Sequence, residues 1–148
     1  MLSKSLRLTH DDRILLAEAF FWLSLIRAGL KVVKFHNLCN LLPILSTQMH
    51  DSRREDLSVD RIVWAVKVAS RYVRAICLPQ ALAAQILLAR RGLPSKLYIG
   101  VRRAPGGRSS AHAWLEYQGR VAIGGDAYIS SYVVIYVSEY PNRSISLA

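Results

Sequence analysis

The chain has 148 residues, enough for one domain with a sizeable core and too few for two ordinary ones. Hydrophobic residues make up 52% and charged residues 20%, the reverse of a disordered composition, so the chain is expected to fold. The net charge of +10 favours acidic partners, but the basic residues are scattered, with Arg53-Arg54, Arg90-Arg91 and Arg102-Arg103 the densest groups, and no nucleic-acid partner is expected.

Two cysteines, Cys39 and Cys77, without a signal-peptide pattern give no disulfide framework and predict a reducing cytoplasm. The apolar segment Ile14 to Ile26 has only thirteen residues and contains Glu18, so it is neither a membrane span nor a secretory segment.

Thr9 followed by Asp11 and Asp12 predicts a helix start, with a capping hydroxyl and acids in the first turn. The helix is expected over Ile14 to Ala28, stopping near Gly29, and its apolar residues nearly encircle it, which favours deep packing over an exposed face. A second helical segment is expected over Lys31 to Leu45, ended by Pro43, and a loop over Ser46 to Glu55. His36, Cys39 and His50 lack a fourth ligand or a recurring spacing, so no metal site and no cofactor are expected.

Ser58 with Asp60 predicts the start of a helix running to about Ala75, with Ile62, Ala65, Val66, Ala69 and Val73 on its apolar face. Pro79 suits the first turn of a further helix, Leu78 to Arg91, which places Cys77 at its extreme N-terminus and Gly92 at its end. The period then switches to two. A strand around Leu97 to Arg102 is followed by a Pro105-Gly106-Gly107 loop, a strand through His112, a Gln118-Gly119 turn, a third strand from Arg120 to Asp126 and a fourth from Tyr132 to Val137. Residues from Pro141 onward are expected to fray. Helices first and strands afterwards predict an α+β fold with an antiparallel sheet.

A thiol at a helix start faces unpaired amides and the positive end of the helix dipole, a setting that favours the thiolate. Cys77 is therefore a candidate nucleophile and His112, 35 residues downstream on a rigid strand, a candidate base; a buried structural cysteine is the plainer alternative. The third member depends on register. A two-residue turn at Gln118-Gly119 pairs residues whose numbers sum to 237 and sends Asp126 to the face opposite His112. A three-residue loop, or a bulge at Gly124-Gly125, raises the sum to 238 and brings Asp126 across from His112, with Cβ atoms about 4.5 to 5.5 Å apart. Glu116 shares the histidine's face but lies about 13 Å along the strand, too far to orient it. Trp114 is read as core support. The Cys77 backbone N–H is the one oxyanion donor that can be named.

The stretch CLPQALAAQILLARRGLPSKLYIGV (Cys77 to Val101), followed by AHAWLEYQGRVAIGGD (Ala111 to Asp126), resembles the lasso-peptide biosynthesis B proteins, specifically their stand-alone leader peptidases in the transglutaminase-like superfamily. The similarity covers about half the chain, and THDDRILLAEAFFWL (Thr9 to Leu23) extends it more weakly. What carries it is the combination of a helix-opening cysteine, an Arg-Arg-Gly-Leu-Pro turn, an Ile-Gly-Val strand and a His-Ala-Trp strand.

That resemblance implies a papain-like or transglutaminase-like α+β core over 57–138 with a helical part over 1–50, in a single domain. It also implies Cys77 as nucleophile, His112 as general base and acid, and Asp126 as the group that orients His112. The implied reaction removes the leader from a ribosomally made precursor before ring closure. Leader capture would fall to a separate leader-binding protein, a RiPP recognition element, because the small winged-helix module that usually does this has no place in the chain; a lasso cyclase is a further implied partner. Two other readings stay open at this point: a transglutaminase-like amide transferase on another substrate, and a non-enzymatic basic binding module.

Overall fold

The computed structural model describes residues 8–34, 36, 37, 40 and 58–140. It contains helices α1 (His10–Val32), α2 (Val59–Val73) and α3 (Cys77–Ala89), then strands β1 (Ser95–Arg103), β2 (Ser109–Tyr117), β3 (Arg120–Ile123) and β4 (Val133–Tyr140), with a 3-10 turn at Ile129–Ser131. The strands form one antiparallel sheet in the order β3-β2-β1-β4. This is the expected α+β arrangement.

Local chemistry sets the first two helix starts. Thr9 and Asp12 form a reciprocal capping box on α1, in which the Asp12 N–H donates to Thr9 Oγ1 (3.2 Å) and the Thr9 N–H donates to Asp12 Oδ2 (3.0 Å). Ser58 caps α2 by accepting from the Arg61 N–H. Contrary to expectation, α1 runs through Gly29 to Val32. Leu30 packs against the core and the Val33 N–H closes on the Gly29 carbonyl at 2.7 Å, so packing outweighs the modest cost of a helical glycine. Lys31 and Val32 thus belong to α1, while most of the expected second helix, Cys39, His50, the 46–55 loop and the residues from 141 onward lie outside the described residues.

α3 is the centre of the molecule. Ten of its thirteen residues are buried, because α1 and α2 cover one side and β1 and β2 the other. The all-round apolar character expected to bury α1 deeply is therefore realised in α3. α1 buries one stripe (Leu15, Ala19, Trp22, Leu23, Ile26) and leaves Phe21 and Leu25 exposed. The core continues into the sheet through Leu97, Ala113, Leu115 and Ile123.

A buried ion pair ties the end of α3 back to α1. The Arg91 side chain is 2% exposed, donates to Glu18 Oε2 (2.9 Å) and also donates to the Leu87 carbonyl (2.9 Å). Truncating one partner strands the other charge, so Glu18→Ala is expected to cost about 3 kcal/mol, read as a lowered midpoint in urea unfolding.

The Arg61 guanidinium pairs with Asp12, and this contact, with Thr9's hydroxyl and backbone N–H, holds the Asp12 carboxyl down at about 2. A carboxyl lowered in the folded state stabilises it fully above its unfolded value of about 4 and loses that contribution as pH falls toward 2. The stability difference between the parent and an Arg61→Leu protein should accordingly be full above about pH 4 and shrink below it in pH-dependent melts. A difference that stays constant through that window would contradict the pairing.

Candidate active site

Cys77 is the first residue of α3 and is half-buried, with its neighbour Ile76 exposed. Unlike α1 and α2, this helix has no side-chain cap: Ile76 offers no acceptor, and the first backbone bond inside the helix start is Gln80 N–H to the Ile76 carbonyl. Pro79 has no N–H. The amides of Cys77 and Leu78 therefore donate to no partner among the described residues, leaving two donors at the thiol. The Gln80 side chain does not compete for this space, because its amide donates to Ser70 Oγ (3.1 Å) and the Ala75 carbonyl (2.8 Å).

His112 sits on β2 opposite Gly100 of β1. Ala113 and Leu115 join the core under α3, so alternation sends His112 and Trp114 to the other face of the sheet. There Trp114 is 5% exposed and stacks on Tyr98 with ring centroids 5.4 Å apart; it supports a second, aromatic cluster instead of the main core. Tyr132 completes this cluster, 5.3 Å from the His112 ring. It can do so because Gly100 lacks a side chain: a Cβ there would come within 2.8 Å of Tyr132 Cβ and 3.2 Å of the Trp114 ring. Burial, with the Glu116 carboxylate adding to it, pushes the Tyr98 phenol up from its ordinary value.

The turn and the register combine both alternatives weighed from sequence. Gln118 and Gly119, with φ of 50° and 75°, make the two-residue turn, so Tyr117 pairs with Arg120 and Glu116 with Val121. A one-residue shift follows, Leu115 pairing with Ile123, so Ala122 is the bulged residue and the sum rises from 237 to 238. The expected bulge is present, two to three residues earlier than Gly124-Gly125, and the ladder ends at Ile123.

Gly124 then turns away with φ +80°, and its carbonyl meets His112 Nε2 at 2.6 Å. A carbonyl only accepts, so Nε2 carries the proton and donates it, and in the neutral ring Nδ1 is the basic nitrogen. The Asp126 carboxylate is used elsewhere: its Oδ1 accepts from the Tyr128 N–H at 3.0 Å, closing the turn into the 3-10 segment. Among the described residues no hydrogen bond joins Cys77, His112 and Asp126 to one another. The structure brings His112 to the segment that carries Asp126, through Gly124, and joins neither to Cys77 on α3 by a hydrogen bond.

The Gly124 carbonyl, Tyr132 and the aromatic face were not anticipated. The Gly-Gly pair was the one visible signal for the first; a backbone contact across twelve residues leaves no other mark in a sequence. At Gly124 a Cβ would lie 2.6 Å from the Ala113 carbonyl oxygen and 2.9 Å from Trp114 Cα, both backbone atoms that cannot swing aside. Gly124→Ala should therefore cost about 1–3 kcal/mol in denaturant unfolding and move the His112 ring resonances in NMR spectra, whereas Gly125→Ala, which meets only a Val121 methyl at 3.6 Å, should do neither.

Comparison with protein families matches residues 22–137 to the Transglutaminase-like superfamily, a span that includes Cys77, His112 and Asp126. No curated protein and no solved structure matches the chain. Among the described residues no helix is long and apolar enough to cross a membrane. By the family match over most of its length, on a helix-plus-antiparallel-sheet fold, the chain belongs to the transglutaminase-like superfamily.

Proposed function

We propose that this chain is a cysteine peptidase that removes the leader from a lasso-peptide precursor, working with a separate leader-binding protein. The observation that carries the chemistry is the uncapped start of α3, where the free thiol of Cys77 stands beside two amides without partners. The superfamily, which includes cysteine peptidase-like members, supports a thiol mechanism. The lasso assignment rests on the motif resemblance alone.

In this mechanism the Cys77 thiolate attacks the scissile carbonyl carbon, and the oxyanion forms within reach of the Cys77 and Leu78 amides. His112, having taken the thiol proton on Nδ1, returns it to the departing amine as the C–N bond breaks. Water then attacks the thioester, giving the free leader carboxylate and restoring the thiol. The Nε2–H donated to the Gly124 carbonyl fixes the tautomer that this role requires. Cys77 on α3 and His112 on β2 share no hydrogen bond among the described residues, so the productive state requires that contact to form when substrate and partner bind. Asp126 acts as a positioning residue, through the turn that follows Gly124.

The test is mass spectrometry of a lasso precursor incubated with a leader-binding protein and each variant. Cys77→Ala should remove cleavage altogether, and His112→Ala should slow it by about 10²–10⁴-fold. Asp126→Asn, which keeps an acceptor for the Tyr128 N–H, should slow it by less than about tenfold. Cleavage that survives in the Cys77→Ala protein overturns the proposal, and a precursor joined to an amine instead of cut would move the assignment to amide transfer.

A further inference from the structure

At the end of the sheet where β1 finishes and β2 and β4 begin lies an open cavity of about 750 Å³ lined by Val101, Arg102, Arg103, Tyr128, Val133 and Ile135, with Arg102 on the same face as His112. Its cationic wall is pre-formed. The Arg102 guanidinium lies 4.9 Å from the Tyr128 ring centre and 5.2 Å from that of Tyr132, so two aromatic faces hold it in place. Its Nε is buried without a hydrogen-bond partner, and so is the hydroxyl of Ser110, which stands opposite Arg102 across β1 and β2. Among the described residues no carboxylate pairs with Arg102 or Arg103. A desolvated donor on a fixed planar cation is costly to leave unmet and is suited to a carboxylate.

We propose that this cavity is a substrate subsite for an acidic side chain, with the Arg102 guanidinium binding the carboxylate of an aspartate or glutamate of the peptide. The inference rests on the acyl-transfer reading of Cys77 and His112 and adds a sequence preference to it. The mixed lining favours a peptide: Tyr128, Val133 and Ile135 offer apolar surface beside the cation, 60%, 71% and 47% exposed, which suits a side chain with a methylene stem and a charged end. Tyr132 touches both His112 and Arg102, which puts the subsite beside the reacting histidine. Asp126 contributes by capping the turn that presents Tyr128.

Binding is measured by fluorescence anisotropy on the full-length Cys77→Ala protein, so no turnover is needed. The probes are two dye-labelled hexapeptide pools, C-terminally amidated and identical except for one fixed position, glutamate in one and glutamine in the other. The glutamate pool should bind about tenfold or more tightly. In Arg102→Gln the preference should disappear, in Arg102→Lys it should fall without vanishing, and in Arg103→Gln it should persist, with circular dichroism showing each variant folded. Equal binding of the two pools, no saturable binding of either, or a glutamate preference that survives Arg102→Gln overturns the subsite.

Two added arms separate other sources of negative charge. A glutamine pool with a free C-terminus that matches the glutamate pool would show recognition of a chain end, and a short single-stranded oligonucleotide that displaces the glutamate pool equally well would show a site for any anion; either result overturns the side-chain assignment. Failure of the acyl-transfer reading would appear in the cleavage assay and not in these binding ratios.

Discussion

The burial of α3 on every side is the constraint from which the rest of the molecule follows. With α1 and α2 packed on one flank and the sheet on the other, ten of its thirteen residues are buried, and the less buried ones, Cys77, Leu78 and Gln80, all lie in its first turn. Its far end is closed by the Arg91–Glu18 pair and by the Leu93 N–H returning to the Leu88 carbonyl at 3.0 Å. Its near end is left open. Thr9 and Ser58 cap the starts of α1 and α2, whereas Ile76 provides no side-chain cap and leaves the Cys77 end of α3 with unpaired amides.

The sheet divides its two faces between an aliphatic core and an aromatic cluster. One face supplies Leu97, Ala113, Leu115 and Ile123 to the core beneath α3. The other carries Tyr98, Trp114, His112, Tyr132, Tyr128 and Arg102 in continuous ring contact. Gly100 and Gly124 make this possible, one by letting Tyr132 lie close over Trp114, the other by bringing a backbone carbonyl to the imidazole. The proposed nucleophile and base thus come from two layers of the fold, one from α3 and the other from the sheet.

Much of this was legible in the residues themselves. Caps, proline placement and the change of period located the three described helices and four strands because each is a local effect. Cys77 at a helix start and His112 on a strand followed from the same signals. Partner choice was harder to read. Periodicity reports that α1 is apolar nearly all round but not which helix the other layers enclose, and here they enclose α3. Leu30 carried α1 past Gly29 through a tertiary contact that no local pattern encodes. Register arithmetic correctly posed the choice between 237 and 238, yet Ala122, where the shift occurs, has no glycine or proline to mark it. Asp126 was expected on the imidazole, whereas a nearer donor, the Tyr128 N–H, holds its carboxylate.

The central claim is that Cys77 forms a covalent bond to the substrate acyl group, and intact-protein mass spectrometry tests it directly. The protein is mixed with a lasso precursor and its leader-binding partner, quenched in acid before turnover is complete, and digested to locate the adduct. A mass increase equal to the leader's acyl group (the leader acid less one water), mapped to Cys77 and released by hydroxylamine, is the predicted result. Cleaved precursor accumulating with no adduct on Cys77 at any quench time, or an adduct on another residue, would contradict it.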